Sequence, residues 1–157
     1  MLRYLQETNN RILFYPWKNK LKLTAYTDAS YGICFDTRTR FSGYIFQLGN
    51  STISWRCQKQ LSVATSTCEA ECIALAMMTK HHLWLKRGVQ ELLKQEIPMA
   101  LFGYSNAAID VAYNSKLNDG SKHIEVTYHF TREQIEQENV SVRFLPSKEN
   151  FANICTN

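Results

Sequence analysis

Several things that would narrow the class of this chain are scarce or absent. No run of about eighteen apolar residues could span a bilayer, no internal repeat or low-complexity tract interrupts the chain, and its beginning carries no signal-peptide pattern. Charged residues make up only 20% of the chain, and 18 basic against 14 acidic side chains leave a net charge of +4. That balance tolerates a polyanionic partner without implying one. Five cysteines at irregular spacing are an odd number, which argues against a disulfide framework and for free thiols in a reducing compartment. The expectation is a soluble intracellular protein, cytoplasmic or nuclear, with no membrane partner and an oligomeric state that the sequence leaves open.

What is present is an ordinary globular composition. Hydrophobic residues make up 45% of the 157 positions, and a domain of this length buries roughly 70% of its unfolded surface, so one core suffices. Residues 21–27 and 51–57 alternate apolar and polar, residues 42–48 are rich in aromatic and branched side chains, and Gly49-Asn50 between the last two is a two-residue hairpin signal. From Ser66 onward Ala70, Ile73, Ala74, Met77, His81, Trp84, Leu85 and Leu92 recur at three and four, predicting one long helix or two stacked ones interrupted near Gly88. A short strand at 99–104, a helix at 106–113, a polar loop at 114–121, a helix at 123–138, a strand at 140–145 and a closing helix at 149–156 complete the pattern. This order describes an α/β domain with a five-stranded mixed sheet flanked by helices, hairpins first and helical crossovers later.

Isolated residues offer weak chemistry. Cys68 and Cys72 share a helix face at a spacing able to hold a soft metal, yet no second pair completes four ligands, and small buried hydrophobes are the plainer reading. His81 falls on the apolar stripe of the long helix as a core histidine. Ser105 has no His and Asp in an order that suggests a hydrolase triad.

Longer motifs are more informative. Tyr26-Thr27-Asp28-Ala29-Ser30, Ser42-Gly43-Tyr44-Ile45-Phe46-Gln47-Leu48-Gly49, Ile53-Ser54-Trp55 with Lys59-Gln60, Ser66-Thr67-Cys68-Glu69-Ala70-Glu71, Trp84-Leu85, and Lys122-His123-Ile124 with His129-Phe130 follow one another in order. Together they resemble the ribonuclease H domain of copia-type retrotransposon Pol polyproteins over nearly the whole chain. Leu2-Arg3-Tyr4-Leu5 and Leu13-Phe14-Tyr15-Pro16 are similar to the tail of the preceding reverse transcriptase. On that resemblance residues 1–20 are a remnant of the connection to reverse transcriptase, residues 21–157 are the ribonuclease H-like domain, and the chain is a free-standing transposon fragment.

The resemblance implies a site of four carboxylates holding two Mg²⁺ ions about 3.5–4 Å apart, one activating the attacking water and one stabilising the leaving oxygen. Carboxylates serve because Mg²⁺ is a hard cation that takes oxygen ligands. Asp28 stands in the bridging position and Glu71 in the position on the long helix, with Glu69 as a rival in the first helical turn. The third position carries Ser105, followed by Asn106, and the fourth carries Asn153 within Ala152-Asn153-Ile154. A hydroxyl is a weak Mg²⁺ ligand, and an amide keeps an oxygen without its charge. Mg²⁺ binding is therefore expected to be weak or absent, and hydrolysis lost or severely weakened. Asp110 and Asp119 are spare carboxylates in the region.

The same resemblance implies a nucleic-acid surface traced by Arg38, Arg40, Arg56, Lys59 and Gln60, with Asn106, Ser121 and Lys122 at the rim of the site. Such side chains read phosphates and sugar hydroxyls of an RNA/DNA hybrid by shape. Three readings follow: a domain that binds hybrid or related nucleic acid without cutting it, a residual metal-dependent ribonuclease, and a protein-interaction module or unselected transposon remnant. Taken without the resemblance, Asp28 is a turn-forming Asp and Glu69 an acid complementing a helix dipole.

Overall fold

In the computed structural model, which describes residues 2–16, 21–30, 40–114 and 122–156, the alternating run at 21–27 becomes the centre of a sheet. The strands are β1 (Leu23–Ala29), β2 (Phe41–Leu48), β3 (Ser51–Lys59), β4 (Met99–Gly103) and β5 (Val142–Phe144). They form one five-stranded mixed sheet in the order β3-β2-β1-β4-β5, antiparallel from β3 to β1 and parallel from β1 to β5. Every residue of β1 except Tyr26 is buried, as a strand with neighbours on both edges and cover on both faces requires. Asp28 is its one charged residue, and so one of the few charges inside the sheet.

The β2–β3 hairpin turns at Gly49-Asn50, where Gly49 takes the left-handed φ of 63° that a side chain resists. Ser51 Oγ donates to the carbonyl of Phe14 at 2.7 Å and Tyr15 Oη to that of Thr52 at 2.9 Å, so the segment after helix α1 (Leu2–Thr8) is tied to this end of the sheet.

Helix α2 (Thr67–Leu93) begins at Ser66, whose hydroxyl accepts the Glu69 N–H at 3.1 Å, while Glu69 Oε2 accepts the Thr65 hydroxyl at 2.6 Å. These bonds satisfy donors that a helix start leaves orphaned. Of the two expected alternatives the single long helix is the one that forms, unbroken at Gly88. Val89 is buried, and Leu85 and Leu93 pack on the core around Leu23, Phe46, Met78 and Leu101. That burial outweighs the cost of about 1 kcal/mol for a helical glycine. Of the two adjacent histidines His82 lies deeper, 1% exposed, while half-buried His81 bonds Ser54 Oγ at 2.9 Å.

Helices α3 (Asn106–Tyr113) and α4 (Lys122–Glu136) pack against α2 and each other. The closing helix expected at 149–156 is instead two 3-10 turns, Ser147–Glu149 and Phe151–Cys155. Asn150 interrupts them, because its side chain donates to the Thr27 carbonyl at 2.8 Å and accepts the Ala152 N–H at 3.0 Å. The second turn lies against β1 and β2. There Gly43, the register partner of Asp28, has no side chain to keep it off: a Cβ on Gly43 would stand 2.4 Å from Cys155 Cβ. Asp119 and Ser121 of the expected polar loop, Arg38, and the side chains of Lys122 and His123 lie outside the described residues.

Two glycine substitutions should therefore move stability in opposite directions. Gly43→Ala forces the closing turn outward and is expected to lower unfolding free energy by about 1–3 kcal/mol, with faster thiol modification of Cys155. Gly88→Ala meets nothing within 4 Å and is expected to raise it by about 0.5–1 kcal/mol. Urea unfolding of both variants beside the parent checks the pair. Equal stability of Gly43→Ala and parent contradicts the close approach.

Candidate active site

Three elements converge at the end of β1. The Ala29 N–H donates to Glu71 Oε1 at 3.2 Å, which brings the second turn of α2 to the strand that carries Asp28. Asp28 is 7% and Glu71 5% exposed. From the closing turn the Thr156 hydroxyl donates to Asp28 Oδ2, and from the end of β4 Tyr104 hydrogen-bonds Glu71. Arg40, 7% exposed, donates to the Ser66 carbonyl and sets its positive charge near Glu71.

Burial dominates the electrostatics of this cluster. Desolvation pushes the Glu71 carboxyl up to about 8; the Asp28 charge adds to the rise, while Tyr104, the Ala29 amide and Arg40 oppose it. Asp28 is raised as well, by burial, against hydrogen bonds from Thr156 and Ala29. Tyr104 is pushed up by burial and by its bond to Glu71. At neutral pH Glu71 is thus mostly protonated, a neutral neighbour to Asp28.

The other expected site residues divide clearly. Ser105, two residues beyond β4, is the N-cap of α3, and its hydroxyl accepts the Ala108 N–H at 3.2 Å. Asn153 donates through Nδ2 to the Ser147 carbonyl at 2.6 Å and the Ser147 hydroxyl at 3.0 Å, and its Oδ1 is buried with no partner. Glu69, engaged with Thr65, takes no part beside Asp28. Asn106 is exposed at the head of α3, and Arg56 and Lys59 are exposed on β3. Gln60 and Arg40, expected on a nucleic-acid surface, turn inward instead. Gln60 is 4% exposed because its Nε2 donates to Ser42 Oγ at 2.7 Å and to the Ala70 carbonyl at 3.0 Å. Cys72 is buried against α3, with the Cys68 thiol beside it.

Sequence reasoning passed over Tyr104 and Thr156. Tyr104 could have been found from its place directly before Ser105, whereas Thr156 carries no local signal.

The motif resemblance implies divalent metal, so the donor set here has a definite test. A pair of Mg²⁺ ions needs several charged oxygens facing one point. Two buried carboxylates, a hydroxyl that caps α3 and an amide with one free oxygen carry at most two charges where that pair calls for four carboxylates, and so do not fit it. Among the described residues no three His, Cys, Asp or Glu side chains stand together to hold an ion.

The raised Glu71 predicts a pH dependence. A carboxyl whose folded value lies near 8 against an ordinary 4.5 binds its proton more tightly in the folded state. Its contribution to stability is therefore full below about pH 4.5 and is lost as pH rises toward about 8, at up to about 1.4 kcal/mol per pH unit. Urea midpoints measured across this window should fall in the parent and fall less steeply in Glu71→Gln. Parallel slopes would mean that Glu71 titrates normally.

No family model matches the chain. It is 36% identical over 156 residues to the retrovirus-related Pol polyprotein from transposon TNT 1-94 of Nicotiana tabacum, a match covering 99% of this chain and 12% of the relative. The corresponding polyprotein from transposon RE1 of Arabidopsis thaliana is 31% identical over 157 residues, covering 99% and 11%. The chain thus spans about an eighth of the length of these relatives. Among solved structures, the N-terminal RNase H domain of a Mycobacterium tuberculosis protein matches with a TM-score of 0.63 at 12% identity, covering 88% of this chain and 92% of that one. LC11-RNase H1 in complex with RNA/DNA hybrid matches with a TM-score of 0.55 at 13% identity, covering 86% and 94%. The chain has a ribonuclease H-like α/β fold and is similar along nearly its whole length to a segment of the Pol polyproteins of plant transposons.

Proposed function

We infer that this domain, of copia-type retrotransposon origin, binds RNA/DNA hybrid or a related nucleic acid over the end of β1 and hydrolyses it feebly or not at all. The observation that carries the reading is the state of the two substituted positions. The Ser105 hydroxyl caps α3 and the Asn153 amide bonds Ser147, so both are neutral groups committed to local structure where the resemblance assigns carboxylates. Binding is supported by the fold shared with a ribonuclease H solved on RNA/DNA hybrid. Exposed Arg56, Lys59 and Asn106 are offered for phosphate and sugar contacts, together with Lys122. Replacing two acids by neutral groups also removes repulsion toward phosphate.

A residual Mg²⁺-dependent ribonuclease is a second reading, favoured by one observation. Asn153 Oδ1 is buried without a hydrogen-bond partner, which leaves an oxygen available to a cation.

Labelled RNA/DNA hybrid incubated with millimolar Mg²⁺ separates the two. The parent is expected to leave the hybrid intact, and Ser105→Asp combined with Asn153→Asp to cut it. Millimolar Mg²⁺ should leave the thermal midpoint of the parent unchanged and raise that of the double variant. Robust cutting by the parent that Asp28→Asn abolishes establishes the second reading. Failure of hybrid to bind the parent at low salt removes both.

A further inference from the structure

A second surface lies further along α2. With a rise of about 1.5 Å per residue, Trp84 stands roughly 20 Å down the helix from Glu71. There the helix and the edge strand β3 flank an open cavity of about 580 Å³, lined by Tyr44, Arg56, Lys59, Lys80, His81 and Trp84 among others. Three of these are cations, the Lys80 ammonium lying 5.4 Å over the ring of Phe130 on α4, and among the described lining residues there is no carboxylate. The net charge of the whole chain is only +4, so this concentration of one sign is local.

Aromatic rings continue into the cavity as a ladder. His81 stacks on Tyr44 at 5.1 Å between centroids with 27° between planes, and Trp84 continues the series 5.4 Å from His81 at 35°. Burial and the charge of Arg56 lower the His81 pKa, which favours the neutral ring. The bond to Ser54 Oγ holds that ring in place. The ladder begins in the core and ends on Trp84, which is 68% exposed. One face of the Trp84 ring packs on His81, the rest of the ring is open to solvent, and it stands beside three cations.

We propose that the Trp84 end of this ladder is a stacking platform for an unpaired nucleobase, with Arg56, Lys59 and Lys80 placed for the phosphates of a single-stranded segment. A paired duplex hides the faces of its bases in its own stack, whereas a single strand offers them to an aromatic ring and offers its phosphates to the cations beside it. A cavity of this size lies within the range that takes a small ligand such as one nucleotide. The inference rests on the reading of the domain as a nucleic-acid binder, and it adds a contact for the unpaired strand that runs on from a hybrid.

Labelled oligothymidylate and a blunt RNA/DNA hybrid, each titrated against the parent, Trp84→Ala, Trp84→Phe and Lys80→Ala, test it by fluorescence anisotropy. Oligothymidylate affinity should fall about tenfold in Trp84→Ala, the size expected for one stacked base. It should stay within about twofold in Trp84→Phe, which keeps a ring. Lys80→Ala should weaken binding and flatten its salt dependence. Blunt-hybrid affinity should be unchanged in Trp84→Ala, and an unchanged thermal midpoint of that variant confirms that it is folded.

Equal oligothymidylate affinity in parent and Trp84→Ala overturns the platform. Hybrid binding without oligothymidylate binding overturns it while leaving the hybrid reading intact. Oligothymidylate binding through Trp84 with no hybrid binding supports the platform and removes the hybrid reading, and binding of neither removes both.

Discussion

The bond from the Ala29 amide to Glu71 Oε1 is the contact on which the arrangement of this domain turns. It fixes the start of α2 against the end of the most buried strand, so a helix of 27 residues has its position set near one tip. Everything further along α2 inherits that setting: Leu75 and Met78 enter the core around Leu23 and Phe46, and α3 and α4 find the far side of the helix. The same bond brings a second carboxyl beside Asp28 in a place that water scarcely reaches. A buried ion costs several kcal/mol unless it is paired, and the pair answers by keeping a proton on Glu71.

This pairing bears on Ser105 and Asn153, the two positions where the motif resemblance assigns further acids. In a site with a full set of acids, bound cations would balance the charge. Here Ser105 presents a hydroxyl and Asn153 an amide, and the two carboxyls are met by hydrogen bonds from Thr156, Tyr104 and Ala29.

Much of this was legible in the sequence, for identifiable reasons. The strands at 21–27, 42–48 and 51–57 and the helix from Ser66 were readable because side-chain periodicity is a local signal that tertiary packing here reinforces. Gly49-Asn50 was readable because few residues accept a left-handed φ. Three things were not. The continuity of α2 through Gly88 depends on the burial of Val89, which no local rule weighs. The inward turn of Gln60 and Arg40 depends on acceptors at Ser42, Ala70 and Ser66, and polar side chains look alike in sequence whether they face water or a buried carbonyl. Thr156 reaches Asp28 across 128 positions of chain, where spacing says nothing.

That separation bears on the order in which the domain takes shape. The β1–β2–β3 hairpins close over short spans, whereas the contacts of Asn150 with Thr27 and Thr156 with Asp28 span 123 and 128 residues. Loop closure grows costlier with the length of chain enclosed, and distant pairings form late for that reason. The closing turn is thus expected to settle on a sheet already built, filling the hollow at Gly43 as the final step of folding. Until Thr156 has been synthesised, the carboxylate of Asp28 lacks the hydroxyl that meets it in the finished fold.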